Sequence, residues 1–227
     1  MRQALQFLTA IPLAAPPTPL GHSAWAFPLV GVLLGCIAAA LQPIKFGPIL
    51  ALIVLTLATG ALHEDGLADV FDSIRATRTR DKMLAIMKDS RIGAHGAAAL
   101  ALSFLFRWQA LSLLQGDAWL RLPVAFGISR AVIVLLAATT PPQGEGLGRA
   151  FTDSLPRWAA ALAVAQIVLL SALTRGPAAL WLVAVNLAVV AVLRRWYIAR
   201  LGGATGDCLG AACQISEAAC LGVLACV

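Results

Sequence analysis

Long uninterrupted apolar runs alternate along the chain with short polar stretches. Six runs stand out, at about 24–41, 46–62, 94–114, 120–140, 158–174 and 177–193; a seventh, about 208–227, is apolar but carries Gln214 and Glu217. A helix needs about 20 apolar residues to cross the hydrocarbon core. None of the runs has the roughly ten-residue alternation of a membrane β-strand. The pattern predicts an all-α polytopic membrane bundle of about 6–7 transmembrane helices, one domain covering residues 1–227, with 63–93 as a polar segment between the second and third spans. Gly31 and Gly35 lie four apart in the first run and predict close helix packing there.

Composition agrees. The chain is 60% hydrophobic and 12% charged, against about 45–50% and about 25% in soluble domains. That excludes a disordered chain and a disulfide scaffold. The five cysteines form no CxxC pair and no Cys/His metal spacing, so they read as packing residues. Residues 1–15 carry one Arg, a short apolar run and early prolines, which do not read as a signal peptide. A net charge of +6 raises the question of nucleic acid. The bases are scattered and lack interleaved aromatics, so no nucleic-acid partner is expected; the lipid bilayer is.

The bases do sort by loop. With the N-terminus in the cytoplasm, that face collects Arg2, the six bases of 63–93 (Arg75, Arg78, Arg80, Lys82, Lys88, Arg91), Arg149, Arg157, Arg194, Arg195 and Arg200. The opposite face holds Lys45, Arg121 and Arg175, and Arg107 and Arg130 fall within spans. A split of 12 to 3 orients the chain by the positive-inside rule. It also puts 63–93 and 194–207 on the same cytoplasmic face.

Segment 63–93 holds six of the eleven acids, among them Glu64, Asp65, Asp69, Asp72 and Asp89. If 62–73 is helical, Asp65, Asp69 and Asp72 stand at i, i+4 and i+7, within roughly 60° of one another at about 100° per residue. Like charges so placed destabilise a helix. A divalent cation removes the repulsion, and carboxylates with few other donors suit Mg²⁺, with Mn²⁺ as the alternative. Glu64 joins the set if the helix begins after it. The competing reading is a solvated acidic face balanced by the bases that follow.

Lys88-Asp89-Ser90-Arg91-Ile92-Gly93 precedes the third span and pairs cations with a hydroxyl and a turn glycine. Such a turn, with the helix N-terminus after it, can bind phosphate; a capped membrane-entrance turn is the other reading. Near the end, Gly203-Ala204-Thr205-Gly206-Asp207 lets backbone approach a ligand. Asp207 is there an N-cap or a further carboxylate for metal and substrate. Glu217 within a span needs a partner, and Arg107 and Arg130 are the candidates. Arg130 is also a candidate phosphate ligand.

Phe7-Leu8-Thr9-Ala10-Ile11-Pro12, His63-Glu64-Asp65-Gly66-Leu67-Ala68-Asp69 through Asp72, Lys88 to Gly93 and Gly203 to Ala211 occur in the order found in one family. Over about residues 5–220 the chain resembles the cobalamin synthase (adenosylcobinamide-GDP ribazoletransferase) family. It departs from the family pattern at Ala10, where Arg is usual, and at Ser73, where Gly is frequent. The resemblance implies a multi-pass enzyme of the bacterial inner membrane, using Mg²⁺ at a cytoplasm-facing site. Its substrates would be adenosylcobinamide-GDP and α-ribazole or α-ribazole 5′-phosphate. The ribazole 3′-hydroxyl attacks the cobinamide-linked phosphate, GMP leaves, and adenosylcobalamin or its 5′-phosphate forms. A second copy of the chain and other cobalamin-assembly enzymes are candidate partners.

On this reading the metal ligands are Glu64, Asp65, Asp69, Asp72 and Asp207, with Asp65 and Asp69 central to catalysis. Lys88, Ser90, Arg91, Gly93, Arg130, Thr205 and Gly206 bind substrate and phosphate. Asp89 and His63 are the two candidates for the base. Two rivals are weaker. A CDP-alcohol phosphotransferase needs Ala-Arg soon after its Asp-Gly pair, and this chain reads Leu67-Ala68-Asp69. A transporter commonly has repeated halves, and none is visible.

Overall fold

The computed structural model describes residues 1–14, 18–76, 79–114 and 116–227, with only the backbone of Arg75 and Ala76. Arg78 and the Arg75 side chain, both counted in the loop charges, lie outside the described residues. In chain order the helices are α1 (Arg2–Leu8), a 3₁₀ turn (Leu20–Ala26) running into α2 (Phe27–Leu41), α3 (Gly47–Thr59), α4 (Leu62–Ala76), α5 (Arg80–Met87), α6 (Ala94–Leu113), α7 (Ala118–Thr139), α8 (Leu147–Asp153), α9 (Ala159–Leu173), α10 (Gly176–Leu201) and α11 (Gly206–Cys226). The described residues contain no strand, only an isolated bridge between Pro142 and Ala204. This is an all-α, multi-pass membrane architecture.

α7 is the central post. Apart from Arg121, Ser129 and Arg130 it is apolar on every side over its middle turns, and it is buried along most of its length, as a helix in the middle of a bundle must be. α2 packs on it through Gly31 and Gly35. A Cβ at Gly31 would lie 2.7 Å from the Phe126 carbonyl carbon, and one at Gly35 would lie 2.6 Å from the Leu122 carbonyl oxygen. The small residues thus allow backbone-to-backbone contact. α9 and α11 cover the other sides of α7. At one end, stacked Phe7, Phe27 and Phe151 tie α1, α2 and α8 together, with the closest ring centroids 4.9 Å apart.

The spans differ from the apolar pattern in three places. Among the described residues five helices are long and apolar enough to cross a membrane, and six if α3 and α4 form one broken span. α3 has 13 residues, about 20 Å at 1.5 Å per residue, which is short of a roughly 30 Å core. It stops at Gly60 (φ +61°), and Ala61 is also left-handed (φ +56°). Two such residues turn the chain so sharply that α4 leaves at 89° to α3. α4 is therefore no surface appendage of a preceding span; it packs between α6 and α11. α9, expected to span, has 15 residues. The weak seventh run is a full 21-residue helix, α11.

Four charges inside the bundle join α4, α6, α7 and α11. Arg107 donates to Glu217 Oε1 (3.0 Å) and to Glu64 Oε1 (3.4 Å), and Arg130 donates to Glu217 Oε2 and to Ser129 Oγ (2.9 Å). All four side chains are buried. Two cations and two carboxylates leave the cluster neutral, the condition for burying charge. Both partners foreseen for Glu217 are present.

Candidate active site

The site forms at the end of the bundle where α6 and α11 begin and α7 and α10 end. Gly66 explains why Asp65 and Asp207 meet there. A Cβ on Gly66 would come within 2.7 Å of the Asp207 carbonyl oxygen. Without it the first turn of α11 lies directly on α4. Asp207, half-buried, then stands beside exposed Asp65 and half-buried Asp69. Asp69 feels the negative charges of Asp65, Asp207 and Asp72. α11 is capped by Thr205, whose Oγ1 accepts from the Cys208 N–H at 3.3 Å and donates to Asp207 Oδ2 at 3.4 Å, and Asp207 still lines both cavities.

Two cavities adjoin at this point. The first, about 450 Å³, is lined by Glu64, Asp65, Asp69, Lys88, Asp89, Ser90, Arg91 and Asp207, with Met87 and Leu100 among its apolar walls. The second, about 660 Å³, shares Asp65, Met87, Lys88 and Asp207 with it and adds His63, Thr205, Gly206 and the loop from Gln143 to Arg149. Asp65, Lys88 and Asp207 thus stand at the junction of the two.

Four expected site residues, Asp72, Gly93, Arg130 and Asp89, have other partners in this geometry. Asp72 does not line either cavity. Its Oδ2 accepts the Gly93 N–H and its Oδ1 the Gly96 N–H, both at 2.7 Å. It caps α6, and it fills the place where a phosphate would sit at that helix end, so Gly93 serves the cap instead of a substrate. Arg130 is spent on Glu217 in the bundle interior and reaches neither cavity. Asp89 is locked to Arg91, which donates from Nε at 3.0 Å and from Nη2 at 2.6 Å. Those hydrogen bonds, with the guanidinium charge, hold Asp89 down to about 2, so it is a poor proton acceptor, and Arg91 is already partly neutralised.

His63 is the contrasting case. It is 2% exposed, lines the larger cavity, and its Nδ1 has no hydrogen-bond partner. Glu64 is similar: Oε1 is held by Arg107, but Oε2 is buried without a partner. Among the described residues no three His, Cys, Asp or Glu side chains converge as a ready-made metal cage. The donor set still fits Mg²⁺, because Asp65, Asp69 and Asp207 are hard oxygen donors under mutual repulsion, Glu64 lines the same pocket with one buried oxygen unpartnered, and substrate phosphate completes such shells.

The segment Gln143–Arg149, a loop running into the first turn of α8, was not anticipated from the sequence. The signal was present as Gly144 and Gly146 flanking Glu145 on the same face as the other motifs. Both glycines are left-handed, at φ +78° and +95°. The loop is fastened to the α11 approach by Gln143 N–H to Ala204 O and Ala204 N–H to Pro141 O, each 2.9 Å.

A family profile described as Cobalamin-5-phosphate synthase matches residues 1–225. The chain belongs to the cobalamin-5-phosphate synthase family. Among its curated relatives, adenosylcobinamide-GDP ribazoletransferase of Pseudomonas aeruginosa strain PAO1 is 41% identical, over 98% of this chain and 96% of the relative. The protein of that name from Bradyrhizobium diazoefficiens is 38% identical over 96% and 89%, and that from Geotalea daltonii 34% over 96% and 93%. No solved structure matches the chain. For this cobalamin-5-phosphate synthase family member, the two-cavity site therefore supplies geometry that the similarity alone does not.

Proposed function

We propose that the protein is the adenosylcobinamide-GDP ribazoletransferase of a bacterial inner membrane, acting with Mg²⁺ at a cytoplasm-facing site. The observation that carries this is the junction itself: Asp65, Asp207 and Lys88 border both an acidic pocket and a second cleft. A reaction that joins a diphosphate ester to an alcohol needs two compartments meeting at one phosphorus. The acidic pocket would take the diphosphate of adenosylcobinamide-GDP, with Asp65, Asp69, Asp207 and Glu64 holding the cation. Bound there, Mg²⁺ would neutralise charge on the phosphate oxygens and the leaving GMP.

Lys88 and Ser90 steady the phosphates from the other wall. The ribazole 3′-oxygen bonds to the cobinamide-linked phosphorus, the P–O bond to GMP breaks, and the hydroxyl proton passes to a base. His63, buried on the wall of the larger cavity with an unpartnered Nδ1, is the group placed to meet that hydroxyl in this reading. Adenosylcobalamin is the product, or its 5′-phosphate when the phosphorylated ribazole is used.

Membranes carrying the protein, given Mg²⁺ and both substrates, should release GMP and form a cobalamin; no product from wild type overturns the assignment. Asp65→Asn or Asp69→Asn should lower turnover at least about 100-fold while the protein still inserts. For orientation, Lys82→Cys should react with an impermeant thiol reagent from the cytoplasmic side, and native Cys226, exposed at the far end of α11, from the other. Labelling of both from one side overturns the topology.

A further inference from the structure

The 660 Å³ cleft differs in character from the acidic pocket. It adds an apolar wall, built from Phe7, Leu84, Ile133, Leu147 and Leu209, to the polar groups around it. At the inner end are the junction residues and His63, whose Nδ1 is buried and unpartnered. At the outer rim are Glu145 and Arg149. Arg149 makes only long contacts, Nε to Asp153 and Nη1 to the Gly144 carbonyl, both 3.3 Å, and its side chain is half exposed.

The loop that carries this rim is a built wall. It is bridged to Ala204, and Arg80 donates to Gln143 Oε1 at 2.6 Å. Gly148 lies so close to Gly206 that a Cβ would be 2.6 Å from its Cα. A cleft of this size falls in the range of small-molecule sites, roughly 300–1,000 Å³. It has room for a nucleotide, and a corrinoid with its ring of amide arms exceeds it. A flat apolar base suits the walls, a ribose hydroxyl suits an unpartnered imidazole nitrogen, and a terminal phosphate suits an exposed guanidinium.

We infer that this cleft is the acceptor-nucleotide subsite, that the Gln143–Arg149 loop forms its outer wall, and that Arg149 reads the 5′-phosphate of the acceptor. The inference rests on the transferase reading above and adds to it the placement of the two substrates.

The test uses purified full-length protein in nanodiscs. Arg149→Ala should raise KM for α-ribazole 5′-phosphate about tenfold, the worth of one charge-assisted contact. It should leave KM for free α-ribazole and for adenosylcobinamide-GDP within about twofold. Leu147→Trp, at a wall residue 69% exposed and so free of core packing, should raise KM for both ribazole forms and spare adenosylcobinamide-GDP. Unchanged KM for the phosphorylated acceptor in Arg149→Ala, or a selective rise for adenosylcobinamide-GDP in either variant, overturns the inference. Calorimetric binding of α-ribazole 5′-phosphate separates the two layers of the argument. Arg149-dependent binding by a wild-type protein that does not turn over sinks the transferase reading and keeps the subsite. Absent binding sinks the subsite even if turnover is present.

Discussion

Asp72→Asn separates the two readings of the acidic stripe. As a metal ligand, Asp72 would be needed for turnover. As the cap of α6, it is needed for stability. Both of its oxygens accept backbone N–H groups at 2.7 Å, and Gly96 is buried. Asparagine keeps one acceptor and turns an NH₂ toward the other N–H. That forfeits one charge-assisted hydrogen bond and leaves a donor unsatisfied, together about 2–3 kcal/mol. At roughly 2–4 °C per kcal/mol for a chain of this size, the melting temperature should fall about 5–10 °C. Tryptophan fluorescence of the purified protein can follow it, the chain having six Trp. Measured well below that midpoint and with saturating Mg²⁺, GMP release per folded molecule should fall less than about fivefold, and the Mg²⁺ midpoint should not move. A cap loses on average about 1 kcal/mol by substitution, whereas a metal ligand costs more than the roughly 10–100-fold in affinity or activity of an outer-shell partner. An unchanged melting temperature with lost turnover, or a Mg²⁺ titration displaced to higher concentration, refutes the capping argument.

Glu217→Ala leaves Arg107 and Arg130 buried with Glu64 as their remaining carboxylate, so it should destabilise by about 3–5 kcal/mol. Pairing it with Arg130→Met should recover part of that in a thermal scan, and no recovery would mean that the charges act independently. Gly66→Ala drives a methyl against the Asp207 carbonyl; overpacking of this kind costs about 1–3 kcal/mol, and the displaced Asp207 should weaken turnover beyond the loss of folded protein. Normal specific activity would show that α4 and α11 yield without moving the site. For Asp89 the sign is fixed by its depressed folded value of about 2, below the ordinary value of about 3.9. Its pairing with Arg91 is therefore fully present above the ordinary value and lost only as pH falls toward 2. Between pH 5 and 9 Asp89 does not titrate, and Asp89→Asn should retain the acidic limb of the rate profile; disappearance of that limb would restore Asp89 as the base.

The legible part of this protein was set by quantities that sequence carries directly. Apolar run length places the helices, and the cost of an intramembrane carboxylate points Glu217 to Arg107 and Arg130, which the bundle pairs with it. The breaks were less legible. Nothing in an apolar window from 46 to 62 announces that Ala61, a residue with no preference for positive φ, turns left-handed after Gly60 and swings the acidic helix into the bundle.

Asp72 shows the limit most sharply. Helical spacing put it correctly on the stripe of Asp65 and Asp69, but a carboxylate at i+7 serves equally as a ligand or as a cap. The choice depends on a helix beginning 22 residues later with two glycines whose N–H groups it can reach. The same physics accounts for the glycines. Side chains at positions 93 and 96 would occupy the volume that the Asp72 carboxylate fills. Ile92-Gly93 and Gly96 are therefore coupled to Asp72 through space, and the phosphate-binding look of that turn arises because a helix N-terminus attracts an anion whether the anion is a substrate or the protein's own aspartate.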